Sequence, residues 1–260
     1  MYGYISTMTA FITYLPVGSI ASVGESIASA YKLSNMAGKV IVDVLFIGSI
    51  LAWSIMVTKI KELRQARKVS ELFLSAYRKE AHPVSLFLKR QKYEVSPLYV
   101  IYEKICVALG AALEARGADP NDLFMGGVGS TRQKLDEIQV NSIRNMVERM
   151  MSDQALLLES NMGWLATAVT MAPSLGLLGT VWGVMESFGA MAVTGAAMLS
   201  AVAPGISGAL LTTVVGLLVA LPSAAGYNML TIQIRQFCVE MDNFSEEIIS
   251  DVERHYVQER

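Results

Sequence analysis

Apolar residues crowd into three stretches of this chain, and the polar segments between them follow a different rhythm. The first stretch, VIVDVLFIGSILAWSIMVT, covers residues 40–58. That is close to the roughly 20 residues a helix needs to cross a hydrocarbon core about 30 Å thick. The second covers residues 160–188 and the third 204–232, with an uncharged connection at 189–203 between them. From Ser160 to Ile234, 75 consecutive residues carry one formal charge, Glu186. The pattern predicts an all-α membrane protein with three transmembrane helices, the second and third long and extending into a cytoplasmic helical bundle. Residues 1–39 then form a periplasmic or interfacial segment, 59–159 a cytoplasmic helical region and 233–260 a cytoplasmic C-terminal helix.

The polar segments support this division. In the tail, Ile234, Phe237, Met241, Phe244, Ile248 and Val252 recur every three or four residues with acids opposite, the pattern of a helix packed in a bundle. Before the second span, Leu135, Ile138, Ser142, Met146, Arg149 or Met150, and Asp153 give only a partial apolar stripe, so a neighbouring helix or subunit is expected to cover it. An Asp-Pro pair at 119–120 and the glycine-rich GGVGS at 126–130 predict turns between hairpins. GGVGSTRQK lacks the GK[ST] ending of a phosphate loop and follows no apolar strand, so it supports no nucleotide site.

Charge sets the orientation. Of 21 Lys and Arg, 16 lie between Lys59 and Arg149. Lys59, Lys61, Arg64, Arg67 and Lys68 follow the first span, Arg144 and Arg149 precede the second, and Arg235 follows the third. By the excess of basic residues on the cytoplasmic side, the N-terminus is expected outside and the C-terminus inside. The N-terminal 20 residues lack a basic n-region and a small-residue cleavage site, so they read as retained. A hydrophobic content of 53%, a charged content of 17% and a net charge of −2 leave no field for nucleic acid. Cys106 and Cys238 form no CxxC and read as reduced thiols; with His82 and His255 they make no familiar zinc spacing, and no catalytic constellation or cofactor motif is visible. The chain does not read as an enzyme.

The chemistry within the spans is small and hydroxylic. Ala172, Gly176, Gly179 and Gly183 fall on one stripe of the second span, with Thr180 at its margin. Gly205, Ala209, Thr212, Gly216, Ala220 and Ser223 make a second stripe on the third, with Thr213 alongside. Small residues let helices approach closely where lipid supplies no hydrophobic drive. These faces are expected to be too many for one three-span protomer to satisfy, which predicts a ring of copies. Pro173 and Pro222 each remove a backbone donor and are expected to bend or loosen their helices. Glu186 is the one acid of the last two spans; a charge at such depth is kept where it faces a protein interior or a water-filled path. It therefore points toward ion movement more than toward catalysis; the alternative is that it reaches the outer headgroups, because the uncharged loop begins within a few residues.

LATAVTMAPSLGLLGTVWGVMESF followed by VAPGISGALLTTVVGLLVALPSAAGYN resembles the core of the MotA/TolQ/ExbB proton-channel proteins, TolQ and ExbB most closely. The resemblance implies five such subunits around two copies of a TolR/ExbD-like single-span protein, whose Asp carries the proton. It implies work on a TolA/TonB-like envelope-spanning protein at the bacterial inner membrane. It also implies pore roles for Thr180 and Thr213 and helix-breaking roles for Pro173 and Pro222. Relatives often hold an acid early in the third span, where this chain has Gly208. A non-conducting membrane scaffold assembling through its small-residue faces is the alternative.

Overall fold

The computed structural model describes residues 17–80, 82–115, 135–194 and 199–256. Among them the helices are α1 (Val17–Leu33), α2 (Met36–Tyr77), α3 (Ser85–Leu88), α4 (Pro97–Glu114), α5 (Glu137–Glu159), α6 (Met162–Thr194) and α7 (Leu199–Tyr256). Helices α2, α6 and α7 are long and apolar enough to cross a membrane, and the chain is a membrane protein. The expected Asp-Pro turn and glycine-rich break lie outside the described residues.

Two features of the helix lengths differ from expectation. Helix α2 does not stop at the end of the first span: KIKELRQARKVSELF is rich in strong helix formers, and the helix runs on to Tyr77. The second span, in contrast, is not continuous with the polar helix before it. Helix α5 ends at Glu159, capped by Ser160, and Asn161 takes a left-handed conformation, φ 65°, before α6 begins. Asn is among the few non-glycine residues that visit this region readily, and it commonly terminates helices there. Lys59, 5% exposed, donates to Ser160 Oγ at 3.0 Å and to Glu62 at 3.2 Å, fastening this break to α2.

The chain divides into two compact units. One consists of Met56–Gly163 with Tyr227–Arg260. Its core is aromatic: Phe73, fully buried, lies with its ring 5.4 Å from those of Tyr102 and Phe244 and 5.6 Å from that of Tyr99. The tail stripe behaves as expected, with Ile234, Phe237, Met241, Phe244, Ile248 and Val252 all buried. The stripe expected before the second span holds only in part: Leu135 is buried and Met146 packs against the core, but Ile138 and Ser142 face outward. The buried positions of α5 are Val140, Ile143 and Val147, while Ile138 is 76% exposed. The capping box between Asp136 and Gln139 starts the helix there, and the β-branched face of Val140, Ile143 and Val147 turns inward. Polar ends are satisfied locally: Ser96 caps α4 by accepting from Tyr99 N, and its hydroxyl meets that of Ser70 at 2.8 Å. Across the surface, Arg144 pairs with Glu246 and Glu253, and Arg78 with Glu247.

The other unit consists of Met1–Ile55 with Trp164–Gly226. Among its described residues, few large side chains are buried. Leu45 of α2 meets Ala172 of α6 and Ala220 of α7, with Ile41, Leu175, Val215 and Val219 around them. Phe46, Ile50, Leu177, Val181, Leu217 and Leu221 are among the apolar side chains it exposes, as a lipid-facing surface requires.

Replacing Phe73 with Ala removes a ring packed against several others. It is expected to destabilise the unit by about 3–5 kcal/mol, read by denaturant unfolding followed by tyrosine fluorescence. Burial pushes the Cys106 thiol up to about 12, which leaves on the order of one thiolate in ten thousand at pH 8. With Cys238 replaced by Ser, the native protein should resist maleimide at that pH and take up one label once unfolded. Rapid labelling of the native form would contradict the burial.

Candidate functional site: the α6–α7 hydroxyl pair

The site follows from how closely two helices approach. A Cβ added at Gly176 would stand 2.8 Å from the Thr212 carbonyl oxygen, and one at Gly216 would stand 2.5 Å from that of Ala172. A Cβ at Gly183 would meet the Ala209 methyl at 2.6 Å; the missing side chain of Gly179 is replaced by that of Thr212, and that of Gly205 by Ser187. Positions rising along α6 meet positions falling along α7, so the pair is antiparallel over about 22 Å, at 1.5 Å per residue. The two small-residue stripes therefore satisfy each other within one protomer. The expectation that one three-span protomer cannot satisfy these faces is corrected: they meet each other inside the chain.

Close approach brings three hydroxyls onto two carbonyls. Thr180 Oγ1 donates to Gly176 O at 3.1 Å and lies 3.2 Å from Ala209 O. Thr212 Oγ1, on a fully buried residue, reaches Gly176 O at 2.9 Å and Ala209 O at 2.7 Å. Thr213 Oγ1 reaches Gly176 O at 3.1 Å, and the Thr180 and Thr213 hydroxyls bond to each other. A carbonyl oxygen offers two lone pairs, so Gly176 O cannot serve its helix amide and all three hydroxyls at once. Each hydroxyl has at least two acceptors in reach, and its proton can turn from one to another without any heavy atom moving. Thr180 and Thr213 are half-buried at the edge of this cluster, while Thr212 closes it from within.

The remaining predicted residues fall into place differently. Pro173 and Pro222 do not break their helices, which run on through both, and through Pro204 as well. Each proline deletes one helix bond, and the neighbouring Ser174 and Ser223 hydroxyls donate to the Thr170 and Val219 carbonyls beside the gap. Glu186 is exposed, six residues beyond Thr180, or about 9 Å along the axis. It takes no part in the threonine cluster; its carboxylate accepts from Asn35 Nδ2. Gly208, where relatives often hold an acid, packs on the backbone of Ser34, with 2.6 Å between an added Cβ and Ser34 Cα. A side chain there has no room.

Sequence reasoning grouped Thr212 with packing residues and passed over Asn35. The pair TT in LLTTVVG carried a signal for Thr212, since a helix turns successive hydroxyls about 100° apart and both can meet a single partner helix only at very short range. Asn35 carried the signal of an N-cap, accepting from Gly38 N at 2.8 Å ahead of α2. His82 and His255 come together, ring centroids 5.2 Å apart, although 173 positions separate them. Among the described residues, no group of three or more His, Cys, Asp or Glu side chains is arranged to hold a metal.

Residues 119–243 match the sequence profile of the MotA/TolQ/ExbB proton channel family, a span that includes all of α6 and the part of α7 bearing the threonines. The matched residues amount to slightly less than half of the chain. No curated protein matches it.

Ala in place of Gly usually stabilises a helix by roughly 0.5–1 kcal/mol. At Gly176 and Gly216 the sign should reverse, because the new methyl strikes a backbone carbonyl that cannot yield. Gly176→Ala and Gly216→Ala are each expected to lower the thermal midpoint in mild detergent. A raised midpoint in both would show that the helices stand farther apart.

Proposed function

We propose that the chain is a channel-forming stator subunit of the TolQ/ExbB kind, which uses proton motive force to do work. In this reading five copies surround two copies of a TolR/ExbD-like single-span partner. The movement of that partner then acts on a TolA/TonB-like envelope-spanning protein of the Tol-Pal or TonB type. The chain sits in the bacterial inner membrane, its N-terminus periplasmic and its C-terminus cytoplasmic, because the basic residues from Lys59 to Lys68 follow the first span directly.

The observation that carries the reading is the over-supplied hydroxyl cluster. Thr180 and Thr213 occupy the positions that the resemblance assigns to the pore, they lie within the matched residues, and they touch each other. A hydroxyl pair with alternative acceptors can accept a proton bond from one side and offer one on the other. That is the property a relay beside a partner's carboxylate needs. Glu186 enters this pathway at its far end, as the lone acid of the last two spans. One observation favours the alternative, a non-conducting scaffold: every hydroxyl of the cluster already has a partner within the protomer, as a pure packing role would have it.

Proton flux into vesicles separates the two. Wild-type protein reconstituted with its single-span partner should conduct, whereas a scaffold would not. Thr180→Val and Thr213→Val keep shape and lose a hydroxyl, so each should lower flux at least about tenfold while stability falls by only about 1 kcal/mol. Full flux in both variants would reduce the threonines to packing.

A further inference from the structure

The corner between α1 and α2 rests on the end of the α6–α7 pair, and its polar chemistry is unusual. Asn35 uses both halves of its amide. Its Oδ1 accepts from Gly38 N, capping α2. That bond fixes which way the amide faces, so Nδ2 is left to donate to Glu186. Next to it, Ser34 is 5% exposed, packs against Gly208, and its hydroxyl has no hydrogen-bond partner. A buried hydroxyl left unmade costs about 1–3 kcal/mol. The corner is otherwise tied to its own hairpin, through Tyr31 Oη donating to Asp43 at 3.0 Å. The seated position thus combines one hydrogen bond to α6 with one unmet polar group, and leaving it would let Ser34 reach water.

We propose that the α1–α2 corner is a releasable cover on the Glu186–Gly208 end of the α6–α7 pair, and that Asn35 is the positioning residue that latches it to Glu186. The hairpin moves as a piece, since Tyr31 and Asp43 hold α1 to α2. Gly208 is the seat: any side chain there would lift the corner. The latch also gives Glu186 a role in the protomer that needs no proton transfer. The proposal is independent of conduction, because its test reads the corner itself.

The test is hydrogen exchange of the segment 33–40 in full-length protein in lipid nanodiscs. Asn35→Asp keeps a good N-cap but sets a carboxylate against Glu186. Exchange of the corner should then accelerate about tenfold or more, as for local opening. Adding Glu186→Gln to Asn35→Asp restores a donor and an acceptor with their roles reversed, and should return exchange to near the wild-type rate. Glu186→Ala, which leaves the cap untouched, should accelerate exchange like Asn35→Asp. Wild-type exchange in Asn35→Asp or in Glu186→Ala overturns the latch. So does a double variant that exchanges as fast as Asn35→Asp alone. Loss of proton flux with unaltered exchange would count against the latch without touching the channel reading, and altered exchange in a protein that never conducts would do the reverse.

Discussion

The distance between two backbones governs this molecule. In lipid there is no gain from hiding apolar surface in one helix against another, so α6 and α7 hold together by van der Waals contact and by polar groups that would otherwise go unsatisfied. Gly176 and Gly216 permit that contact, each lying where a side chain would meet a carbonyl of the facing helix. Once the backbones are that close, the threonine hydroxyls no longer belong to one helix; they reach across to Gly176 O and Ala209 O. Geometry made for packing thereby becomes polar chemistry at membrane depth.

The two units solve the packing problem in opposite ways. Where Phe73, Tyr99, Tyr102 and Phe244 meet, large rings fill the core and charged pairs such as Arg78–Glu247 ride on its surface. Burial there is deep enough to raise the Tyr102 hydroxyl well above its ordinary range, with desolvation as the main cause. Among the spans, small residues form the contact and the large side chains face outward. Helix α7 takes part in both regimes, and its composition changes accordingly, from Gly205, Ala209 and Gly216 to Phe237, Met241 and Phe244.

Much of this was legible in the sequence, and what was not has physical reasons. Long uncharged stretches show spans because a charge at depth is costly, and a repeat of Ile, Phe, Met and Val over about five turns shows a buried helical face. The small residues of α6 and α7 were legible as contacts, but a stripe does not say whether its partner is the same chain or a copy; only the antiparallel register of Gly176 on Thr212 and Gly183 on Ala209 decides that. The break at Asn161 depends on one residue's tolerance of positive φ, a weak signal beside a long helical pattern. The phase of α5 went partly astray because Ile138 is apolar yet exposed, while the inward face is that of Val140, Ile143 and Val147. Asn35 was invisible because its partner lies 151 positions away.

That α6 and α7 satisfy each other within one chain also bears on how the protein enters the membrane. The sequence around the turn between them, residues 187–203, carries no charge at all, so the barrier to moving it across the bilayer contains no ionic term. Two apolar helices joined by such a loop can cross together as a ready-made hairpin, with glycine faces and hydroxyls already matched before any second copy is met. The contact between these two spans then needs nothing beyond its own chain.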